Sequence, residues 1–221
     1  IWKGLVGSEM CIRDSFPGYL DDYALLGSVL IDYLSIEWNQ NYYDTCMRVC
    51  DDLMNNFEDK EKGGFFFTSD QHEQLFYRPK SISDDSVPSG LVYATDMLLY
   101  MGFISGNQKY IEAAYGALDF IYKSIDDNLT SSVSAINLLR EDNLEKEIII
   151  VRTNKKTWEK ITDSEEYYGR CIIFIENELQ NLPDYIAYKE SKGEFTSYHC
   201  KGMTCQTPKL SFEDFIDSLK T

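Results

Sequence analysis

Histidine and proline are scarce in this chain, two and five copies in 221 residues, and Lys and Arg are outnumbered by Asp and Glu 21 to 37. The acid excess gives a formal net charge of −16, and no cluster of Lys and Arg interrupts it. Such a surface repels phosphate backbones and anionic headgroups, which argues against nucleic acid and against a membrane as partners. No apolar run reaches the roughly 20 residues that cross a bilayer. No basic start, apolar middle and small-residue cleavage site marks a secretory signal. The histidines offer little to imidazole chemistry: His72 falls in a polar loop and His199 beside Cys200, neither in the spacing of a catalytic dyad. What the chain does have is 43% apolar and 14% aromatic residues, enough for a packed core. With that acidity the expectation is a cytoplasmic protein.

The chain opens on Ile1, and IWKGLVGSEMCIRDS has neither helical nor strand periodicity. It closely resembles translated adapter read-through at the end of a metagenomic contig, so residues 1–15 are set aside as non-native. Without Cys11 the cysteines are Cys46, Cys50, Cys171, Cys200 and Cys205. An odd count does not read as a secreted disulfide framework, and a reducing compartment is expected. Cys46 and Cys50 share one helical face and read as small core residues. Cys200 and Cys205 lie five apart beside His199. A zinc site needs about four ligands, and no second pair is suitably spaced; the C-x-x-C redox spacing is also absent. A structural role is expected for them, with no metal and no cofactor.

Apolar residues at Leu20, Tyr23, Ala24, Gly27, Ile31 and Leu34 predict an amphipathic helix over about Tyr19–Glu37. A second runs from about Asn41 to Phe57, with Tyr42, Cys46, Cys50, Leu53 and Phe57 on its buried stripe. KGGFFFTSDQHEQLFYRPK follows and reads as a two-stranded excursion. Gly63-Gly64 supply its turn, since no Lys-Ser/Thr follows to make a phosphate loop. A helix over Ser89 to about Ile104 is apolar on most sides and so deeply buried. Gly106-Asn107 end it, and another helix runs from about Lys109 to Ile125. Aligning Asn39-Gln40-Asn41-Tyr42 with Asn107-Gln108-Lys109-Tyr110 places Cys46 on Ala114, Cys50 on Leu118, Leu53 on Ile121 and Phe57 on Ile125. This period, about 68 residues from Asn39 to Asn107, is the signature of stacked helical hairpins. A shorter helix, Asn128 to Leu139, begins a third.

Beyond residue 144 the texture changes. Glu147–Val151 and Cys171–Ile175 read as buried strands, with a helix over Thr157 to Tyr168 between them. Tyr185–Tyr188 reads as a further strand, and Ser211 to Leu219 as a terminal helix with a Ser cap. The division expected is a helical-hairpin part over 16–144 and a small α/β appendage over 145–221.

Four strings occur in order: YLDDYALL, GGFFFTSDQHEQLFYRPK, DDSVPSG and YHCKGMTCQTP. Together they resemble the C-terminal part of the thioredoxin-domain-containing, or spermatogenesis-associated thioredoxin-like, protein family, across essentially all of 16–221. The resemblance implies a mainly α fold: part of an (α/α)6 toroid of helical hairpins, like that of six-hairpin glycosidases and N-acylglucosamine 2-epimerases. It also implies a thioredoxin-like domain, lying outside this chain, as a partner. A small-molecule, sugar-like ligand would bind in the funnel where inner-helix ends and loops converge.

Glycoside hydrolysis needs two carboxylates, about 5–5.5 Å apart for retention or about 6.5–9.5 Å for inversion. Asp22, at the start of the first helix, and Asp84, before the third, are the candidate catalytic pair. Capping is the alternative role for Asp21 and Asp22. Tyr23, Arg78, Lys80 and Ser89 are the candidate binding residues, because this loop can bring cations and a helix N-terminus to a polar ligand. Salt bridges from Arg78 and Lys80 to Asp84 and Asp85 are the alternative. Leu91 stands where the family pattern has Asn, which removes a polar group from the funnel, and the epimerases' histidines have no counterpart here. Two functions compete: action on a carbohydrate, by fold analogy, and a non-catalytic module working with the thioredoxin-like domain in redox or protein quality control.

Overall fold

Asn39 and Asn107 start equivalent helices by the same device. The Asn39 carboxamide accepts from the amides of Asn41 and Tyr42, and that of Asn107 from Lys109. In the computed structural model, which describes residues 18–72, 76–125, 129–143, 147–163 and 171–220, two antiparallel helical hairpins result. The first pairs α1 (Leu20–Ile36) with α2 (Gln40–Asn56), the second α3 (Gly90–Ser105) with α4 (Gln108–Ser124). Gly106 closes α3 at φ 72, a left-handed conformation open to glycine. A 3-10 turn at Leu129–Ser131 leads into α5 (Val133–Asn143). The predicted start of that helix, Asn128, lies outside the described residues.

The aligned pairs occupy matching sites. Cys46 and Ala114 are fully buried, as are Leu53 and Ile121, with Cys50 and Leu118 beside them. One residue of the predicted stripe is corrected: Tyr43 is buried, and Tyr42 is 38% exposed. Tyr43 lies three residues before Cys46 and Tyr42 four, both helical spacings, so the pattern alone leaves the stripe's first member open. Packing on Trp38, ring centroids 5.2 Å apart, selects Tyr43. Tyr110, the partner of Tyr42 in the alignment, is buried and donates its hydroxyl to Asp51 at 2.6 Å. α1 packs along α3, and each also packs on its own hairpin partner. α3 is buried on nearly every side, as its composition requires.

The excursion after α2 is not the expected two-stranded unit. Among the described residues it carries one isolated bridge, Glu58 with Phe65, and the Phe67 amide donates to the Pro79 carbonyl at 2.8 Å. Gly63 and Gly64 do form the turn, at φ 73 and 77. The aromatic residues there differ in burial: Phe65 is fully buried, Phe66 lies under Arg78, and Phe76 and Tyr77 are exposed.

The C-terminal part is a four-stranded sheet in the order β2-β1-β3-β4. Its strands are β1 (Glu147–Thr153), β2 (Cys171–Glu176), β3 (Phe195–Lys201) and β4 (Thr204–Cys205). β1 runs parallel to β2 and antiparallel to β3. Between β1 and β2 lies α6 (Lys155–Thr162); the rest of the predicted helix, from Ser164, falls outside the described residues. Ile148 and Ile150 face the hairpins, while Ile149 and Val151 face α6 and α8 (Phe212–Leu219). Covering on both faces is why these strands read as continuous apolar runs. Ser211 caps α8 as expected, accepting from the Asp214 amide. The strand expected at Tyr185–Tyr188 is instead a helical turn, α7 (Asp184–Ala187), started after Pro183. β3 was not anticipated: FTSYHCK holds Thr, Ser, His and Lys, yet six of its seven residues are buried. The fold is thus mainly helical with a small sheet. Among the described residues no helix is long and apolar enough to cross a membrane.

Candidate functional site

Of the residues expected to act at the loop, all but Tyr23 hold backbone groups. Asp22 accepts from the Tyr19 amide at 2.8 Å and closes the start of its own helix. Its neighbour Asp21 reaches across instead, accepting from the Gly90 amide at the N-terminus of α3. Burial, then the Asp22 charge, raise its pKa against that bond. Tyr23 packs its ring on Phe57, centroids 5.2 Å apart. Arg78 donates to the carbonyls of Thr68 and Asn56 and stacks 4.2 Å over the Phe66 ring. Lys80 forms a buried ion pair with Asp59 at 2.6 Å, donates to the Gly63 carbonyl, and lies 4.1 Å over the Phe120 ring. Its partner is therefore Asp59, not Asp84 or Asp85.

Asp84 joins two helix starts. It accepts from the Ser89 amide at 3.1 Å, the Ser134 amide at 2.9 Å and the Ser134 hydroxyl. Burial works against its charge, but the bonds from Ser134, Ser89 and Val133 outweigh it, and the carboxyl is held below the usual carboxylate range. The Ser89 hydroxyl donates to the Ser81 carbonyl. Asp84 and Ser89 thus come together, while Asp22, Tyr23, Arg78 and Lys80 serve other contacts. Asp22 and Asp84 do not line the groove described next.

That groove lies between α1 and α3. Ser28, Ile31, Asp32 and Ser35 of α1 face Tyr93, Asp96, Met97 and Tyr100 of α3 across a hollow of about 310 Å³, closed by Glu141 of α5 and Cys171 of β2. Both sets follow the spacing i, i+3, i+4, i+7, one face of each helix. A second hollow of about 290 Å³ shares Tyr93, Asp96 and Glu141 and reaches Ser134, so Asp84 braces its wall. Gly27 leaves room for the Met97 side chain between the helices: a Cβ there would meet Met97 Sδ at 2.1 Å, so the thioether would have to move. Leu91, by contrast, is buried in the core.

Asp32 in the groove is shifted the other way from Asp84. Burial first, and then repulsion from Asp96, raise the pKa of Asp32, which identifies the two as interacting neighbours. Tyr100 is 3% exposed, and its hydroxyl lies against the Cys171 thiol. Burial, then the Cys171 thiol, push its pKa well above the ordinary value. Asp96 was legible in principle: it is the only charged residue in α3. A lone carboxylate in an otherwise apolar helix is a functional signal. Asp32, Glu141 and Tyr100 carry no such mark.

The two histidines are structural here. His72 Nδ1 pairs with the Ser69 hydroxyl at 2.7 Å, and His199 is buried near Glu147 at 3.5 Å. Cys46 and Cys50 are buried free thiols, with burial pushing the Cys46 thiol up to about 12. Cys200 and Cys205 form a disulfide, a bond the odd cysteine count did not lead us to expect. Compared with known proteins, the chain matches no protein-family model and no curated protein.

Proposed function

We propose that the groove between α1 and α3 binds a carbohydrate-like ligand, and that the hairpins are part of an (α/α) toroid with this groove on its inner wall. The observation that carries the proposal is the pairing of Asp32 and Asp96 on facing helices, flanked by Tyr93 and Tyr100. Carboxylates accept from sugar hydroxyls, and aromatic rings offer the flat apolar faces on which pyranose C–H edges pack. On this reading Tyr100 donates to a ligand oxygen. Asp32, its pKa raised, is the group suited to deliver a proton, and Asp96 is the carboxylate across from it. The sequence pattern led to a carboxylate pair in the funnel; the pair proposed here replaces Asp22 and Asp84 with Asp32 and Asp96. The toroid reading is supported by α1 itself. Leu26, Val29, Tyr33 and Ile36 form an exposed apolar stripe along it, each about half exposed, a face suited to a further hairpin. The thioredoxin-like domain implied by the resemblance would act beside the groove.

A panel of neutral, amino and acidic monosaccharides, titrated by calorimetry into the 221-residue chain, tests this. We expect one class to bind, with affinity lowered about tenfold or more by Asp96→Asn and by Tyr100→Phe, as for the loss of a buried hydrogen bond to a ligand. Binding indifferent to both substitutions, or no binding by any sugar, would reject the proposal. Turnover of a bound glycoside that Asp32→Asn abolishes would assign catalysis; tight binding without turnover favours the non-catalytic module.

A further inference from the structure

We infer that Cys200–Cys205 is an exchangeable redox site, reduced by a dithiol, whose state sets how firmly the β3–β4 tip is held. The bond joins residues that backbone pairing already places opposite each other, with Cα atoms 3.9 Å apart. It closes only the four residues Lys201–Thr204, so it restrains little of the unfolded chain. The segment after it has its own anchors: the Gln206 amide donates to the His199 carbonyl at 2.8 Å, and Ser197 and Lys209 exchange backbone bonds at 2.9 and 3.0 Å. The fold therefore stands without the bond, which distinguishes it from a disulfide that ties distant segments together.

Its position gives it something to control. β4 is a two-residue edge strand, and Gly202 turns the tip at φ 55. Lys201, Gly202, Thr204 and Cys205 form one wall of a cavity of about 530 Å³, opposite Phe103 and Leu138, and Glu141 belongs both to this cavity and to the acidic groove. Cys200 is buried and Cys205 half-buried, so Cys205 Sγ is the sulfur within reach. A dithiol's thiolate attacks it, the S–S bond breaks, and Cys200 leaves as a thiolate that takes up a proton. The reductant's second thiolate then displaces Cys205 from the mixed disulfide. Two electrons pass to the protein, the dithiol ends as its own disulfide, and two thiols remain on β3 and β4. With the covalent tie gone, the tip keeps only its backbone pairing, and the cavity wall loosens. The inference holds whatever ligand the acidic groove takes.

The test equilibrates the 221-residue chain in reduced and oxidised dithiothreitol, maps alkylated cysteines by mass spectrometry, and times trypsin cleavage after Lys201. We expect Cys200 and Cys205 to titrate together and reversibly while the far-ultraviolet circular dichroism is unchanged. Cleavage after Lys201 should accelerate about tenfold on reduction, the signature of local opening. Cys200→Ser/Cys205→Ser should be cut at the fast rate with or without reductant, and Cys171→Ser should keep the full response. Three outcomes overturn the inference: a bond that resists reduction in the folded chain, loss of helical signal on reduction, or an unchanged cleavage rate. Should the double variant fail to fold, reduction of the unsubstituted chain decides alone.

Discussion

The loop after α2 and the groove between α1 and α3 both hold carboxylates, and Asp59 and Asp84 in the first are treated oppositely to Asp32 in the second. In the loop, Asp59 and Asp84 are surrounded by donors, and hydrogen bonds overcome burial to lower their pKa values. In the groove, Asp32 meets burial and a second carboxylate, and its pKa rises. The first arrangement stabilises the fold. The second opposes it, and that cost is what the proposed ligand would offset. Polar density in sequence marks the loop, but the balance of donors and like charges marks the groove.

The largest expected effect is on the loop side. Lys80→Ala leaves Asp59 buried without its cation and should destabilise the fold by about 3–5 kcal/mol, read as a lower urea midpoint. If stability barely changes, the loop is not the scaffold described. Gly27→Ala should be next, at about 1–3 kcal/mol, since Met97 has to move off the helix contact. It should also widen the groove and weaken ligand binding, which calorimetry and a denaturation curve resolve together.

The third effect is one of pH. Asp59 and Asp84 have lowered folded pKa values, so the stability they confer is fully present above the unfolded value of about 3.9 and is lost as pH falls through the lower folded values. Asp32 and Asp21 have raised ones, so their contribution is present below about 3.9 and is lost as pH rises through the folded values. Melting temperatures measured from pH 6 down to pH 2 should fall less steeply at the acid end for Asp84→Asn than for the unsubstituted chain. An identical slope would break the contrast at its centre. The smallest effects belong to the groove. Tyr100→Phe and Asp32→Asn should each change stability by less than about 1 kcal/mol, since a thiol is a weak partner for the Tyr100 hydroxyl and Asp32 is repelled by Asp96. A large destabilisation by either would make the groove a second scaffold.

The helices were legible because burial on one face imposes a period of 3.6, and the matched Asn caps gave the repeat its register. β1 and β2 showed as apolar runs because both their faces are covered. β3 was invisible: its burial comes from neighbours on both sides, and its Thr, Ser and His side chains carry no apolar pattern. Pro183 before Tyr185–Tyr188 favours a helical start, a cue outweighed by the alternating tyrosines. The proposed site differs from the one read in sequence for a physical reason. A carboxylate at a helix start and one in a binding loop look alike in sequence, and only partners tell them apart. Asp32, Asp96 and Glu141 come from three separate helices, and no local spacing links them.

The Trp158 indole donates to the carbonyl of Ile36 at 3.2 Å, a hydrogen bond spanning 122 residues. Hairpin contacts join near neighbours in the chain and can form as each helix pair becomes available. Docking α6 on the end of α1 has to close a far longer loop, the kind of contact that slows folding. During synthesis the Ile36 carbonyl therefore waits through more than a hundred residues before its indole partner arrives, an interval in which α1 is open to misassociation.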